Sequence, residues 1–437
     1  MNDYKKLAPF LIIFMAVMAC YSRINNGLEL QKEYDSYLNQ ARIARDEQIY
    51  VDSKYYYNEA LKMYPSLDIY LEAGAMLVQE GNKSDIEKWE DIVLELYPKE
   101  PKAYEYAIEY EKQLGDYKRC FELSTIVQKR GIATQELVSL MDDIQYEYTL
   151  GITSYEWVFD YNYDYAIVKE NEMYGLVSPS GNEVLDCKYI QLGVYTGEVL
   201  SVQDENKEFN FIDIGGNRKR NIIDDITISR LGSWRENVYT AGINGEMYYV
   251  DASNKVILGP YEDAGAFNNG MAAVKRDGTW YLIDKEGNIV SKGYIGFEQD
   301  SEGIAVRNST IMAQTAEGYI LLGLDGKQIG DKVYEDVRHF GDKTYAAVKI
   351  DGKWGFIDNQ GQLVLEAEYE DAKSFQNGYA PIKKNGKWGY IDINGNIVIR
   401  PVFQQAQSIS SKGVSYVQDE TGKWNKLELL RNKYSDE

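Results

Sequence analysis

The chain has 437 residues, 44% of them hydrophobic, which is enough for more than one packed core. Its 69 acidic residues outnumber 47 basic ones, a net charge of −22, so nucleic acid and anionic lipid surfaces would repel it. Three cysteines, Cys20, Cys120 and Cys187, exclude a disulfide framework, and a single histidine, His339, excludes most zinc and triad chemistry.

At the N-terminus, Lys5 and Lys6 precede an uncharged run from Leu7 to Ser22, closed by Arg23. Residues 1–26 are therefore expected to form a cytoplasmic tip and a membrane anchor through 7–22. The bulk of the chain would then lie outside, as a single-pass protein of a bacterial cytoplasmic membrane. Two alternatives are a cleaved signal peptide and a lipoprotein, because "VMAC" resembles a lipobox with Cys20 as the lipid-attachment residue.

Residues 27–143 show helical periodicity. "YYYNEALKMYP" ends at Pro65 and "WEDIVLELYP" at Pro98. Tyr70, Ala73 and Gly81 recur 34 residues later as Tyr104, Ala107 and Gly115. This period, with small residues at helix crossings, resembles tetratricopeptide repeats, which are helix–turn–helix units. Units are read at about 66–98 and 99–131, with a degenerate one at about 31–65. The resemblance implies a groove for a peptide or partner helix; the alternative is a spacer neck.

Residues 144–431 change period again, before a polar tail at 432–437. A large aromatic or apolar residue recurs at Tyr174, Phe209, Met247, Trp280, Tyr319, Trp354, Trp388 and Trp424, at intervals of 35, 38, 33, 39, 35, 34 and 36. Turn pairs such as Asp277-Gly278, Asp351-Gly352 and Asn385-Gly386 precede that position, and Gly287, Gly326, Gly361 and Gly395 follow it. Each unit reads as a small four-stranded antiparallel meander. Both faces of the Trp strand are apolar, so each sheet needs cover on both sides. We expect Trp to act as a wedge between sheets, with the glycines Gly175, Gly355 and Gly389 as recesses that accept a neighbour's ring. The last unit lacks a strand, and the segment 144–152 is a spare one that could complete it. A closed β-propeller is expected, with an open β superhelix as the alternative.

"KWGFIDNQG" and "KWGYIDING" resemble the WG-repeat proteins of bacteria. The resemblance covers roughly 155–430. Trp280 precedes Tyr281 instead of Gly, and Met247 replaces Trp. It implies a β-rich repeat module with no shared activity. The repeat-defining residues are thus Tyr174, Gly175, Phe209, Trp280, Trp354, Gly355, Trp388, Gly389 and Trp424. The whole is a multidomain α plus β chain.

Chemistry is sparse. "DYNYDY", Asp160 to Tyr165, mimics the start of a calcium loop but lacks the later Gly and Glu, and reads as a strand-edge cluster. Asp358 and Asp392 read as turn acceptors. Glu262-Asp263, Glu335-Asp336 and Glu370-Asp371 sit at equivalent positions, which favours structural roles over a glycosidase pair. No catalytic residue, metal or cofactor is expected. The expected function is a membrane-anchored, non-enzymatic scaffold for a protein or peptide partner, without nucleic acid. The alternatives are a module for cell-wall glycan and, last, an envelope glycan hydrolase acting through groups such as Glu262 or Asp336.

Overall fold

The computed structural model describes residues 27–223, 226–341 and 344–435. The chain divides into two compact units, Met1–Gln145 and Tyr146–Glu437.

The described part of the first unit is helical: α1 (27–46), α2 (Tyr50–Met63), α3 (Leu67–Glu80), α4 (Lys83–Leu96), α5 (Pro101–Leu114), α6 (Tyr117–Arg130) and α7 (Gln135–Ile144). Pro101 starts α5, where its missing N–H costs little, and Gly81, Gly115 and Gly131 end α3, α5 and α6 in the left-handed conformation. Ala73, Ala107, Leu123 and Val127 lie in one shared core. The closest approach is at Gly74. A Cβ there would lie 2.5 Å from the Trp89 ring, whose Nε1 donates to the Tyr70 carbonyl at 2.6 Å.

The expected membrane helix and single-pass membrane localisation need correction. No helix among the described residues is long and apolar enough to cross a membrane. Helices α2 to α6 have 14 residues each and span about 21 Å, short of the ~30 Å hydrocarbon core. Residues 7–22 and Cys20 lie outside the described residues. The fold is therefore a helical unit followed by a β unit, with no membrane helix among its described elements.

In the second unit, the described residues form eight antiparallel sheets at 157–189, 191–220, 228–261, 263–284, 296–323, 336–369, 371–403 and 405–429. We call these blades one to eight. The strand Tyr148–Ile152 pairs with Trp424–Leu429, so the chain's earlier segment supplies the missing strand of blade eight. Trp424 packs with Val158, Ala166, Val168 and Val177 of blade one. This contact closes the ring and rules out the open superhelix. The fold is an eight-bladed β-propeller.

Blade seven shows the local logic. Asn385 and Gly386 both have positive φ, 53° and 75°, which the two-residue turn between Tyr379–Lys384 and Lys387–Asp392 requires. At the next turn, the Asp392 carboxylate accepts the N–H groups of Asn394 and Asn396 at 2.9 and 2.8 Å. Asp358 does the same for Gln360 and Gln362.

The glycines of Trp354-Gly355, Trp388-Gly389 and Tyr174-Gly175 have a different partner from the one expected. Trp354 pairs with Tyr369 and Phe356 with Leu365, so residues 366–368 arch over Gly355. A Cβ on Gly355 would lie 2.8 Å from the Leu365 carbonyl oxygen and from the Ala367 nitrogen. The recess thus receives a β-bulge of its own sheet's outer strand, not a neighbour's ring. Gly389 and Gly175 face the outer strand in the same way. Blade three has Tyr248 at this position. There the small residue moves to the facing strand, where a Cβ on Gly259 would lie 2.8 Å from the Tyr248 ring.

Candidate functional site

Between blades, the register residues other than Tyr174 lie in or against the hydrophobic cores. Trp354 is grouped with Phe356 and Tyr369 of blade six and with Ala372, Phe375 and Ile382 of blade seven. Trp388 and Trp424 do the same at the next two interfaces, Phe209 and Met247 at earlier ones, and Trp280 packs partly buried against the core of blades four and five. A second large side chain enters six of the slots from the loop after a blade's first strand: Trp234, Phe267, Phe340, Phe375 and, in blade one, Tyr161, with the aliphatic Ile409 in blade eight, all buried. Phe375 meets Phe356 at 4.9 Å between centroids, and Phe267 meets Tyr249 at 4.8 Å.

These same loops converge at the propeller axis. Blade five is irregular there. Its Gln299–Ile304 stretch forms a turn tied by Asp300, whose carboxylate accepts the N–H groups of Glu302 and Ile304. The turn carries Glu302 across the axis. Oε1 accepts the Val194 N–H of blade two at 2.7 Å, and Oε2 accepts the Ser233 hydroxyl of blade three. Blade four makes room with Gly265, where a Cβ would collide with the Gly303 carbonyl. Burial pushes the Glu302 carboxyl up to about 7, tempered by the Val194 N–H. Burial likewise pushes Glu298 up to about 7, tempered by Arg338.

Beside this loop lies a cavity of about 700 Å³. Its axial end is charged. Lys373 donates to both oxygens of Asp160 at 2.9 Å and to Gln407; Arg307 pairs with Asp300. Arg338 stacks over Trp354 at 4.5 Å. His339 also lines the space; its Nδ1 lies 3.2 Å from the Phe340 carbonyl oxygen, and burial lowers its pKa. The other end is an apolar cleft between blades one and two, walled by Ile167, Tyr174, Leu176, Leu192 and Tyr195. Above it, the tip of blade one carries Tyr163. That ring lies under the guanidinium groups of Arg235 and Arg307, at 5.2 and 5.7 Å, and Arg235 donates to its hydroxyl.

"DYNYDY" is this blade tip. Asp160 also accepts the Ser408 N–H, Tyr161 fills the slot against blade eight, and Asp164 accepts the Ser411 N–H. Among the described residues no cluster of acids, Cys and His could hold a metal ion. The paired acids of the later blades cap backbone. Glu262, Glu335 and Glu370 accept the N–H of Gly278, Gly352 and Gly386, while Asp263, Asp336 and Asp371 accept those of the residues after them. Many tyrosines are likewise structural: Tyr161, Tyr249, Tyr390 and Tyr416 are buried between blades, unlike the exposed sugar platforms that a glycan module needs. Reading the repeat alone missed Asp160, Glu302, Arg307, Arg338 and Lys373 as neighbours. The available signal was the interval of 39 between Trp280 and Tyr319, the longest in the series, which contains the blade-five loop.

The WG containing repeat matches residues 249–280, 324–354, 354–388 and 388–424. Among curated proteins, none matches the chain in sequence. Two solved structures similar to it are Kluyveromyces lactis Hsv2p and the β-propeller domain of Myceliophteria thermophila Cps50 (Swd1). The first is 10% identical with a TM-score of 0.36, covering 64% of this chain and 97% of that one. The second is 11% identical with a TM-score of 0.33, covering 64% and 99%. With Trp354-Gly355 and Trp388-Gly389 seated at equivalent places in successive blades, the propeller carries WG-containing repeats within residues 249–424, and helical hairpins precede it in the chain.

Proposed function

We propose that the chain is a non-enzymatic interaction protein that holds a protein or peptide partner at the axial cavity of its propeller. One observation carries this reading. Loops of blades one, two, five, six, seven and eight line a single cavity of about 700 Å³ that is part apolar and part charged. Such a mixed, concave surface suits recognition. Its charged groups serve to hold one another: Asp160 with Lys373, and Asp300 with Arg307. A catalytic site instead needs an acid or base free to meet substrate.

Photo-crosslinking tests it. A crosslinking side chain at Ser301, exposed beside the cavity, should trap a partner from a cell lysate. One at Val402, exposed on an outer strand of blade seven, should not. Trapping at Ile92 alone, on the helical unit, would move the partner to the helical hairpins. Equal trapping at all three positions, or turnover of a small molecule that depends on cavity residues, would end the proposal.

A further inference from the structure

In the helical unit, two carboxyl groups stand where the apolar stripe of a helix would continue. The buried residues of α4 are Ile86, Trp89, Glu90 and Val93, and those of α5 include Tyr104, Ala107, Ile108 and Glu111. That spacing turns Glu90 and Glu111 inward with their apolar neighbours, and each is only 2% exposed. The two carboxyls hydrogen-bond each other between α4 and α5. Two carboxylates have no donor for such a bond; a proton on one of them supplies it. Arg119 of α6 fixes which one is ionised. Its Nε donates to Glu90 Oε1 at 2.6 Å and its Nη2 to the same oxygen, while its Nη1 donates to Glu122 at 3.0 Å. Glu111 has a buried oxygen, Oε2, that no donor among the described residues reaches, as suits the acid member of the pair.

We propose that one proton shared by Glu90 and Glu111 joins α4 to α5 and, through Arg119, to α6, and that its loss loosens this joint, so that the helical unit opens more readily in alkaline than in acidic surroundings. The joint belongs to the helical unit alone. Burial raises both carboxyls. Arg119 tempers the rise at Glu90, whereas the Glu90 carboxylate adds to it at Glu111, which is pushed up to about 7. Asp91 and Lys83 face the pair from α4, and Asp116 and the Cys120 thiol from α6. Positive charge is short there, because Lys83 is held by Asp116 at 2.8 Å and Arg119 is shared with Glu122. Helix α3 meets α5 through the Tyr110 hydroxyl, which donates to the Leu71 carbonyl at 3.4 Å, and α7 meets it through Lys112 and Asp143 at 3.9 Å. Once the proton leaves, two buried carboxylates face each other across α4 and α5, and like charges that close repel.

The test uses the full chain and two readouts. Infrared difference spectra between the parent and Glu111→Gln report the proton. At pH 6 the parent should show a carboxylic-acid band that the variant lacks, and at pH 9 that band should be gone. Hydrogen exchange read by mass spectrometry reports the joint. Glu111 ionises at about 7 in the closed form and at roughly 4.3 in the open one, so the closed form keeps a proton that the open form has lost. Protection of peptides from α4 to α6, corrected for the pH dependence of intrinsic exchange, should therefore fall about tenfold between pH 6 and pH 8. Glu111→Gln stays neutral and can still donate to Glu90, and its protection should stay level over that range. Glu111→Met, which carries no such proton at any pH, should also stay level. Absence of the acid band at pH 6, level protection in the parent, or a tenfold fall retained in either folded variant would overturn the proposal.

Discussion

Two interfaces of one ring, between blades six and seven and between blades one and two, are built from the same repeat and end in different states. At the first, Trp354, Phe356 and Phe375 close a packed core. At the second, Tyr174, Leu176 and Tyr195 leave a cleft that opens on the axis. The strand pairing is the same in both: Trp354 opposes Tyr369 as Tyr174 opposes Tyr189, and each following glycine sits under a bulge. The backbone repeat therefore sets the frame, while a few side chains decide whether a slot is filled or left open. A propeller can thus keep its ring closed while leaving one interface partly unfilled.

The strongest way to break this comparison is Trp354→Ala. It removes a buried ring from the filled slot and the surface on which Arg338 stacks. Losses of this kind cost about 3–5 kcal/mol. Urea denaturation of the propeller should show a drop of that size. A drop below about 1 kcal/mol would mean that the two interfaces are alike in energy despite their packing.

Charge gives the next largest effect, and it belongs to the open side of the ring. The Glu302 carboxyl is pushed up to about 7 by burial, against roughly 4.3 in an unfolded chain. Below about pH 4 both states hold the proton and the group contributes no pH dependence. Between there and 7 only the folded state keeps it, so stability falls as pH rises, by up to about 4 kcal/mol in all. Glu302→Gln stays neutral and can still accept the Val194 N–H. The variant should therefore gain stability over the parent between pH 5 and pH 8. A difference between the two proteins that does not change with pH would show that the carboxylate is well solvated at the axis.

Gly355→Ala probes the frame that both interfaces share. The new Cβ would meet the Leu365 carbonyl and the Ala367 nitrogen at 2.8 Å, so the bulge has to shift. Overpacking of this kind costs about 1–3 kcal/mol. The same change at Gly175, where the Cβ would meet the Leu185 carbonyl oxygen at 2.6 Å, should cost a similar amount. Circular-dichroism melts of the two variants check this. Equality would locate the difference between the interfaces in their side chains alone.

Much of this frame is legible in the sequence. Asn385-Gly386 and Asp351-Gly352 announce their hairpins because positive φ at both positions is a local demand. The spare strand at 148–152 is visible because the last repeat is short by one. What depends on contacts distant in sequence is not legible. Gly389 reads as a seat for a neighbour's ring until residues 400–402 are seen to arch over it. The axial site joins Asp160 to Lys373, 213 residues apart, and Glu302 to Val194, 108 apart, and no periodicity encodes such pairs. Nor does "MYGLVSPSG" announce an open slot, since Leu282 and Leu321 hold the place of Leu176 in slots that are filled.

The smallest predicted effect sharpens the comparison most directly. Tyr174→Ala changes the residue in register with Trp354, but its ring is half-buried beside the cleft, with Phe159 at 6.4 Å between centroids and the Lys169 ammonium at 5.9 Å. Little packed surface is lost, and the cost should stay below about 1 kcal/mol, within the range of substitutions away from a core. Its consequence should instead appear in binding, since the ring walls the cleft that Leu176 leaves open. A variant that melts with the parent yet loses the adduct formed from Ser301 places Tyr174 with the partner rather than with the core. A loss as large as that of Trp354→Ala would mean that the slot between blades one and two is closed in solution, and that the cleft is no binding site.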